Sequence, residues 1–509
     1  MAEIILSTLN ARYIHSSLGL RYLKANMGLL ENTTEINEFV INQRPIDVAE
    51  TLLEKNPRII GFGVYIWNVE QTTRVISLIK TISPETLIVL GGPEVSFEHE
   101  QQAICDMADY IITGQADLAF SELCDDIIHK EKNHPKITHA NPVPLPYLTL
   151  PYSLYTQEDI DNRVIYVEAS RGCPFKCEFC LSSLDKTAWP FDLSLFLSEM
   201  DVLYQRGVRD FKFIDRTFNL KISSSIKILE FFLEKNDPSI YLHFELIPDH
   251  LPEKLKDILI KFPDGCLQFE IGVQTFNPDV QSLISRKQDN KKTIDNIRWL
   301  RENANAHLHT DLIMGLPGET IESIGKSFDA LVSLKPHEIQ MGILKRLRGT
   351  PMIRHTDEYD MRYNPDSPYN ILSNSHITFS DMQRLSRFAR FWDIIANSGR
   401  FTYSLPVILG NSKFENFLKL SDELYSTSKQ THKIALPRLF ELLHDLMIDC
   451  LKLKKNTVIE SLWKDFQISG LKGNPSFATL EMIKQRKHAT SSSIGDMPSR
   501  QSRHATKLH

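Results

Sequence analysis

The sequence predicts an α/β protein built in three parts. An open, Rossmann-like parallel sheet comes first, a (βα)6 partial TIM barrel second, and a mostly helical C-terminal region last. Two observations predict this. Short apolar runs alternate with amphipathic helical stretches through residues 1–350, the pattern of parallel strands joined by crossover helices. Beyond residue 351 the strand runs stop and helical periodicity carries on alone. A length of 509 residues, 42% of them hydrophobic and 24% charged, suits a globular chain of about three domains.

Residues 1–135 carry the runs Ile4-Ile5-Leu6, Ile59-Ile60-Gly61-Phe62-Gly63-Val64, Leu87-Ile88-Val89-Leu90 and Tyr110-Ile111-Ile112, with helical patterns over 18–27 and 69–82. Small residues stand at the strand ends: Gly61 and Gly63, Gly91-Gly92-Pro93-Glu94, and Gly114-Gln115-Ala116-Asp117. Ligands of open α/β sheets bind off the carboxyl ends of strands, where glycine lets the backbone approach a bulky group. The same glycines can also be plain turns. Residues 136–162, with Pro142, Pro144, Pro146 and Pro151, read as a stiff extended linker.

Residues 163–350 repeat strand then helix, with strands expected at 164–167, 211–214, 241–246, 267–273, 308–313 and 338–343. Six units make a partial barrel, whose chemistry belongs at the carboxyl ends of its strands. Residues 351–485 are expected to be helical, for instance over 380–397 and 436–453, and to cap the barrel mouth. Residues 486–509, poor in apolar side chains and holding Ser491-Ser492-Ser493, are expected to be a disordered tail.

The first barrel strand runs directly into Arg171-Gly172-Cys173-Pro174-Phe175-Lys176-Cys177-Glu178-Phe179-Cys180. Three of the seven cysteines of the chain, Cys173, Cys177 and Cys180, fall within eight positions. Three thiolates on one loop hold three irons of a [4Fe–4S] cluster and leave the fourth open to a small molecule. Zinc is disfavoured, because no fourth Cys or His stands at close spacing. Four charged residues fall at the neighbouring strand ends: Asp215, Glu245, Arg286 and Asp311, with Gln274 after the fourth strand. Burying such charges is costly unless they meet a polar ligand or each other. S-adenosylmethionine (SAM) meets that demand: carboxylates suit its ammonium and ribose diol, and a guanidinium suits its carboxylate. Each charge alone reads equally well as half of a structural ion pair.

On these motifs, residues 160–350 resemble the radical SAM superfamily, and the Gln274, Arg286, Asp311 pattern is similar to oxygen-independent coproporphyrinogen oxidase. The resemblance implies cluster ligation by Cys173, Cys177 and Cys180, Phe179 beside the adenine, and SAM contacts from Glu245, Gln274, Arg286 and Asp311. The usual Gly-Gly-Glu after the second strand is replaced by Ile214-Asp215-Arg216, with Asp215 as the substitute contact. Residues 10–19 and 89–96 look like the cobalamin-binding domain found before some radical SAM enzymes. That likeness implies a cobalamin site with His15, Tyr65, Gly91, Gly92, Glu94 and Gly114. The chain departs from the signature Asp-x-His-x-x-Gly, in which the His ligates cobalt: His15 lacks the preceding Asp and has one residue more before Gly19. His15 therefore reads as a loop histidine or a ligand, and Tyr65 as core or corrin wall. The subgroup resembled carries Ala11-Arg12-Tyr13-Ile14-His15 and Asp215-Arg216-Thr217-Phe218-Asn219.

A net charge of −6 gives no support to a nucleic-acid partner. No apolar run is long enough for a membrane span, and the N-terminus enters a strand pattern without a secretory signal. The scattered cysteines Cys105, Cys124, Cys266 and Cys450 read as reduced thiols of a cytoplasmic protein. The resemblance implies reductive SAM cleavage with a flavodoxin or ferredoxin as electron donor, a cobalamin cofactor, and modification of a small molecule, with methyl transfer to carbon first. Radical cyclisation or rearrangement of the tetrapyrrole type, or a non-enzymatic cluster- or haem-carrying relative, stands as the alternative. Methylthiolation is disfavoured, since residues 1–104 hold no cysteine for a second cluster.

Overall fold

A computed structural model describes residues 3–489 apart from 131 and 133. The first sheet has six parallel strands in the spatial order Thr34–Val40, Ile4–Asn10, Ile59–Gly63, Leu87–Gly91, Tyr110–Gly114 and Ile137–Ala140. The order reverses between the first and third strands, the switch point at which open α/β sheets bind ligands. Two of its strands lie outside the apolar runs. Thr34–Val40 reads Thr-Glu-Ile-Asn-Glu-Phe-Val because it is an edge strand, mostly half-buried. Ile137–Ala140 is the other edge, so the expected linker begins inside the sheet; it also holds the helix Gln157–Asn162, closed by a Thr156–Asp159 capping box.

The second sheet is six parallel strands in sequence order, Ile165–Val167, Asp210–Phe213, Tyr241–Leu246, Leu267–Gln274, Ala306–Met314 and Glu338–Ile343. Its two ends do not pair, so the barrel is open. Its strands alternate rather than run apolar throughout. In Leu267–Gln274 the positions Leu267, Phe269, Ile271 and Val273 are buried, while Gln268, Glu270, Gly272 and Gln274 are half-buried. The apolar positions face the helices, as where Phe211 and Phe213 meet Phe232. The concave face is polar, the reverse of the packed lumen of a closed barrel.

The C-terminal helices Phe379–Trp392 and Lys413–Ser428 pack on the barrel's last strand and on the helix Ile321–Ser333. They cover the flank beside the last strand rather than capping the mouth. Asn397 both accepts from Ile339 N–H (3.1 Å) and donates to Ile339 O (3.0 Å), closing part of an edge otherwise open to pairing. Residues 346–369 turn back toward the first sheet. There Arg348 donates to Glu94 (2.9 Å) and Glu98 (3.1 Å), Arg346 to Glu98 (2.8 Å), and Tyr369 Oη to Glu94 (2.7 Å). A second tie, between the first sheet and the segment leading into the barrel, is the buried set Arg21–Glu38 (3.1 Å), Arg21–Asp159 (2.8 Å) and Arg163–Glu38 (3.0 Å). The helix Leu480–Ala489 occupies the first positions of the expected tail; residues 490–509 lie outside the described residues. No helix among the described residues is long and apolar enough to cross a membrane.

Candidate active site

The cysteine loop is tied at its base by the ribbon of Ser170–Arg171 against Trp189–Pro190. Gly172 has φ +95°, and a Cβ there would collide with the Thr187 carbonyl, so the turn demands glycine. Cys173 N–H donates to Asp185 O (3.2 Å) and Cys180 N–H to Cys177 O (3.1 Å). The loop brings all three thiols to one cavity of about 300 Å³ at the strands' carboxyl ends, together with Phe179, Glu245, Gln274, Arg286 and Asp311. Burial raises the Cys177 thiol's pKa, and the Arg286 guanidinium, 3.7 Å from its sulfur, opposes that shift.

Each wall residue has a local reason for its place. The strand register breaks between Gly272 and Gln274, and Gln274 adopts φ +70°; such a bulge re-aims a side chain. Gln274 Oε1 is buried without a hydrogen-bond partner among the described residues. Arg286 donates to Gly272 O and to Gln288 Oε1 (3.0 and 2.8 Å). Glu245 accepts from Arg216 (2.8 Å), and burial raises its pKa. Asp311 lies 3.2 Å from His309, which also faces Glu338 at 3.5 Å. Burial opposes the charge on His309, but the hydrogen bonds it donates to Asp311 and Glu338 outweigh it and push its pKa up to about 10. A folded pKa raised above the unfolded value stabilises the fold below the unfolded pKa. The stability of the wild type over His309→Gln, measured by chemical denaturation, is therefore fully present below about pH 6.5 and is lost as pH rises through about 10.

Asp215 lies outside this cavity. It accepts from Ala169 N–H (2.9 Å) and Ser170 Oγ (2.5 Å), bracing the start of the cysteine loop, and burial pushes its pKa up to about 7. Glu270, which sequence reasoning missed, lines the cavity in its stead. Burial would raise its pKa, but His243 at 2.9 Å and Lys212 at 3.4 Å hold it well below the usual range. Its signal was the alternation of polar positions along the fourth barrel strand. Arg216 and Gln288 line the cavity as well.

A second cavity of about 290 Å³ opens at the switch point of the first sheet. Tyr65, Gly91, Gly92 and Gly114 line it, joined by Gly19, Gly61 and Gly63. At Gly91 a Cβ would find its nearest neighbour 3.7 Å away; at Gly92, with φ +106°, it would lie 2.5 Å from Val64 O. Gly91 thus leaves space, and Gly92 is required by the turn. Tyr65 stacks on Trp67 with ring centroids 4.5 Å apart. His15 and Glu94 are elsewhere. His15 Nδ1 meets Tyr166 Oη at 2.7 Å on the barrel's first strand, and Glu94 is held by Arg348 and Tyr369. Arg171, two residues before Cys173, lines the glycine-walled cavity and pairs with Asp117 (3.0 Å) and Glu168 (2.6 Å), so the cluster loop and the first sheet share a wall.

Both sites fit the groups expected of them. Three thiols and an orphaned amide oxygen in one pocket fit a cluster with SAM on its open iron. A slot walled by glycines at a sheet's switch point fits part of a bulky ligand.

Three families match the chain: the B12 binding domain over residues 5–124, the radical SAM superfamily over 167–331, and a protein of unknown function (DUF4080) over 357–504. An uncharacterized methyltransferase of Pyrococcus horikoshii, PH0819, is 25% identical over 302 residues, 55% of this chain and 64% of that one. The cobalamin-dependent radical SAM methyltransferase TokK of Streptomyces tokunonensis is 24% identical over 371 residues, 64% of this chain and 52% of that one. The chain thus spans between about half and just under two thirds of these curated relatives. The solved structure of the cobalamin-dependent SAM radical enzyme OxsB with aqua-cobalamin bound shares the fold at a TM-score of 0.65 with 15% identity, over 97% of this chain and 84% of that one. The chain therefore carries a B12 binding domain over residues 5–124 ahead of a radical SAM domain over residues 167–331.

Proposed function

We propose that this protein is a cobalamin-dependent radical SAM enzyme that methylates a carbon of a small molecule. The observation that carries the reading is the gathering of Cys173, Cys177 and Cys180 with Phe179, Glu245, Gln274, Arg286 and Asp311 in one cavity. The glycine-walled cavity across Arg171 adds the second cofactor. In this reading residues 1–135 hold cobalamin, 163–350 hold the cluster and SAM, and 351–485 brace them. Both relatives are named as methyltransferases, which favours methyl transfer over cyclisation or a non-enzymatic role.

When bound, the reduced cluster supplies one electron to SAM, whose cleavage gives a 5′-deoxyadenosyl radical, and cobalamin supplies a methyl carrier. The chain's own residues position and exclude. The three thiolates would hold three irons of the cluster and would leave the fourth for the amino and carboxylate groups of SAM. Arg286 offers a guanidinium to the carboxylate, and Gln274 Oε1 an acceptor to an N–H of the amino group. Asp311 and Glu245 suit the ribose diol, and Phe179 walls the adenine. Asp215 does its work one step back, through Ala169 and Ser170. The electron comes from a carrier such as a flavodoxin or ferredoxin, in the cytoplasm.

The test is anaerobic reconstitution of the full chain with iron, sulfide and hydroxocobalamin, then dithionite and SAM. 5′-Deoxyadenosine should form without added substrate at a slow rate. An intact cluster, seen by its absorbance, with no deoxyadenosine would overturn the reading.

A further inference from the structure

Glu178 stands inside the cysteine loop, between Cys177 and Phe179, and it is buried with a side-chain exposure of 6%. A buried carboxylate on a short loop is costly unless every oxygen is engaged, and this one is. Arg354 donates from Nε to Oε2 (2.7 Å) and from Nη2 to Oε1 (2.6 Å), His355 Nε2 lies 2.9 Å from Oε2, and Ser285 Oγ donates to Oε1. The backbone is engaged too: Glu178 N–H donates to Ile284 O (3.1 Å), and Met352 N–H donates to Glu178 O (3.2 Å).

These partners lie on two segments. Ser285, at φ +53°, directly precedes Arg286. Met352, Arg354 and His355 open the C-terminal region. Glu178 is therefore one residue from a thiol of the cluster loop and, through Ser285, one residue from the guanidinium of the cavity wall. No other described carboxylate reaches both segments. Arg286 Nη1 lies 3.7 Å from Cys177 Sγ, and the Glu178 contacts, with Arg354 Nη2 donating to Leu283 O (3.2 Å), tie those two loops together.

We propose that Glu178 is a positioning residue that sets Arg286 against the open face of the cluster, and that Arg354 and His355 lock it from the C-terminal region. This rests on the radical SAM reading. It assigns to the start of the C-terminal region a role in SAM binding, although none of its residues lines the SAM cavity. A misplacement of about 1 Å at a reacting centre costs on the order of a hundredfold, and loss of a supporting partner costs about ten- to a hundredfold.

The experiment uses the full chain, reconstituted anaerobically, as wild type, Glu178→Gln, Glu178→Ala and Ser285→Ala. Three quantities are read: iron and sulfide per chain, the SAM concentration that half-converts the electron paramagnetic resonance signal of the reduced cluster, and KM and kcat for 5′-deoxyadenosine formation. The expectation for Glu178→Gln is wild-type iron and sulfide, with the SAM concentrations for signal conversion and for KM raised about tenfold, and kcat changed less. Ser285→Ala, which removes one hydroxyl and no charge, should shift both in the same direction by less, so failure of Glu178→Ala to fold would leave the idea testable. Hydrogen exchange of the metal-free chain should show faster exchange at 281–287 in Glu178→Ala. Unchanged SAM dependence in both Glu178→Gln and Ser285→Ala overturns the inference, as does a loss of iron with normal SAM affinity in the chains that keep it. Failure of the wild type itself to cleave SAM would instead overturn the radical SAM reading.

Discussion

A Cys177→Ala chain should emerge from anaerobic reconstitution without a cluster and without SAM cleavage, yet still bind cobalamin. The geometry makes the two outcomes separable. Cys177 shares its cavity with Cys173 and Cys180, and two thiolates cannot retain a cubane whose third iron has lost its ligand. The glycine-walled cavity has no contact with Cys177; only Arg171 of the cysteine loop lines it. Folding survives, because the loop is anchored by Asp185, Ile284 and Met352 through backbone bonds that a sulfur does not enter. The loss of one half-buried sulfur costs about 1 kcal/mol. Iron and sulfide content, the corrinoid spectrum and 5′-deoxyadenosine yield check it; a cluster retained at wild-type level would remove Cys177 from the ligand set.

The converse variant is Gly91→Phe, which abolishes cobalamin binding and leaves the cluster intact. Gly91 ends the fourth strand of the first sheet with no positive φ to require glycine, a Cβ there would make only ordinary contact with Ile112 O at 3.7 Å, and the residue lines the cavity of about 290 Å³. An aromatic side chain at this position takes up room in that cavity. Its neighbour makes a poor test, because a side chain at Gly92 would strike Val64 O and unfold the turn. Affinity for hydroxocobalamin should fall at least about a hundredfold, or ~2.7 kcal/mol, read by the corrinoid spectrum after gel filtration. Iron content and abortive SAM cleavage should match the wild type. Cobalamin that co-elutes at full stoichiometry would place its site elsewhere.

Much of this was legible in the sequence, for identifiable reasons. Strands buried on both faces, such as Leu87–Gly91, are apolar runs that cannot be mistaken. Thr34–Val40 was invisible because an edge strand buries little and its composition follows. The cysteine loop and Gln274 were legible because they sit at strand ends, where topology delivers them to the mouth; Asp311, inside the strand Ala306–Met314, and Arg286, beyond the helix Pro278–Leu283, were carried by the family resemblance. Asp215, His15 and Glu94 sit at strand ends or loops too, but position does not say which way a side chain turns. Asp215 turns back to Ser170, His15 crosses to Tyr166, and Glu94 crosses to Arg348 and Tyr369. Each found a partner distant in sequence, and spacing carries no trace of such partners. Glu178 was hidden for the same reason: its ligands stand more than a hundred positions away.

The return of residues 346–369 to the first sheet has a consequence for how this architecture can be recombined. Glu94 and Glu98 are neutralised by Arg346 and Arg348, and Tyr369 Oη donates to Glu94; the chain supplies all three only after it has traversed the whole barrel. Residues 1–135 grafted alone onto a foreign barrel would carry a buried carboxylate stripped of its cations. The interchangeable module is therefore discontinuous: the first sheet together with the strap that follows the last barrel strand. Inheritance of one without the other is disfavoured, and the three regions have to travel as a single piece.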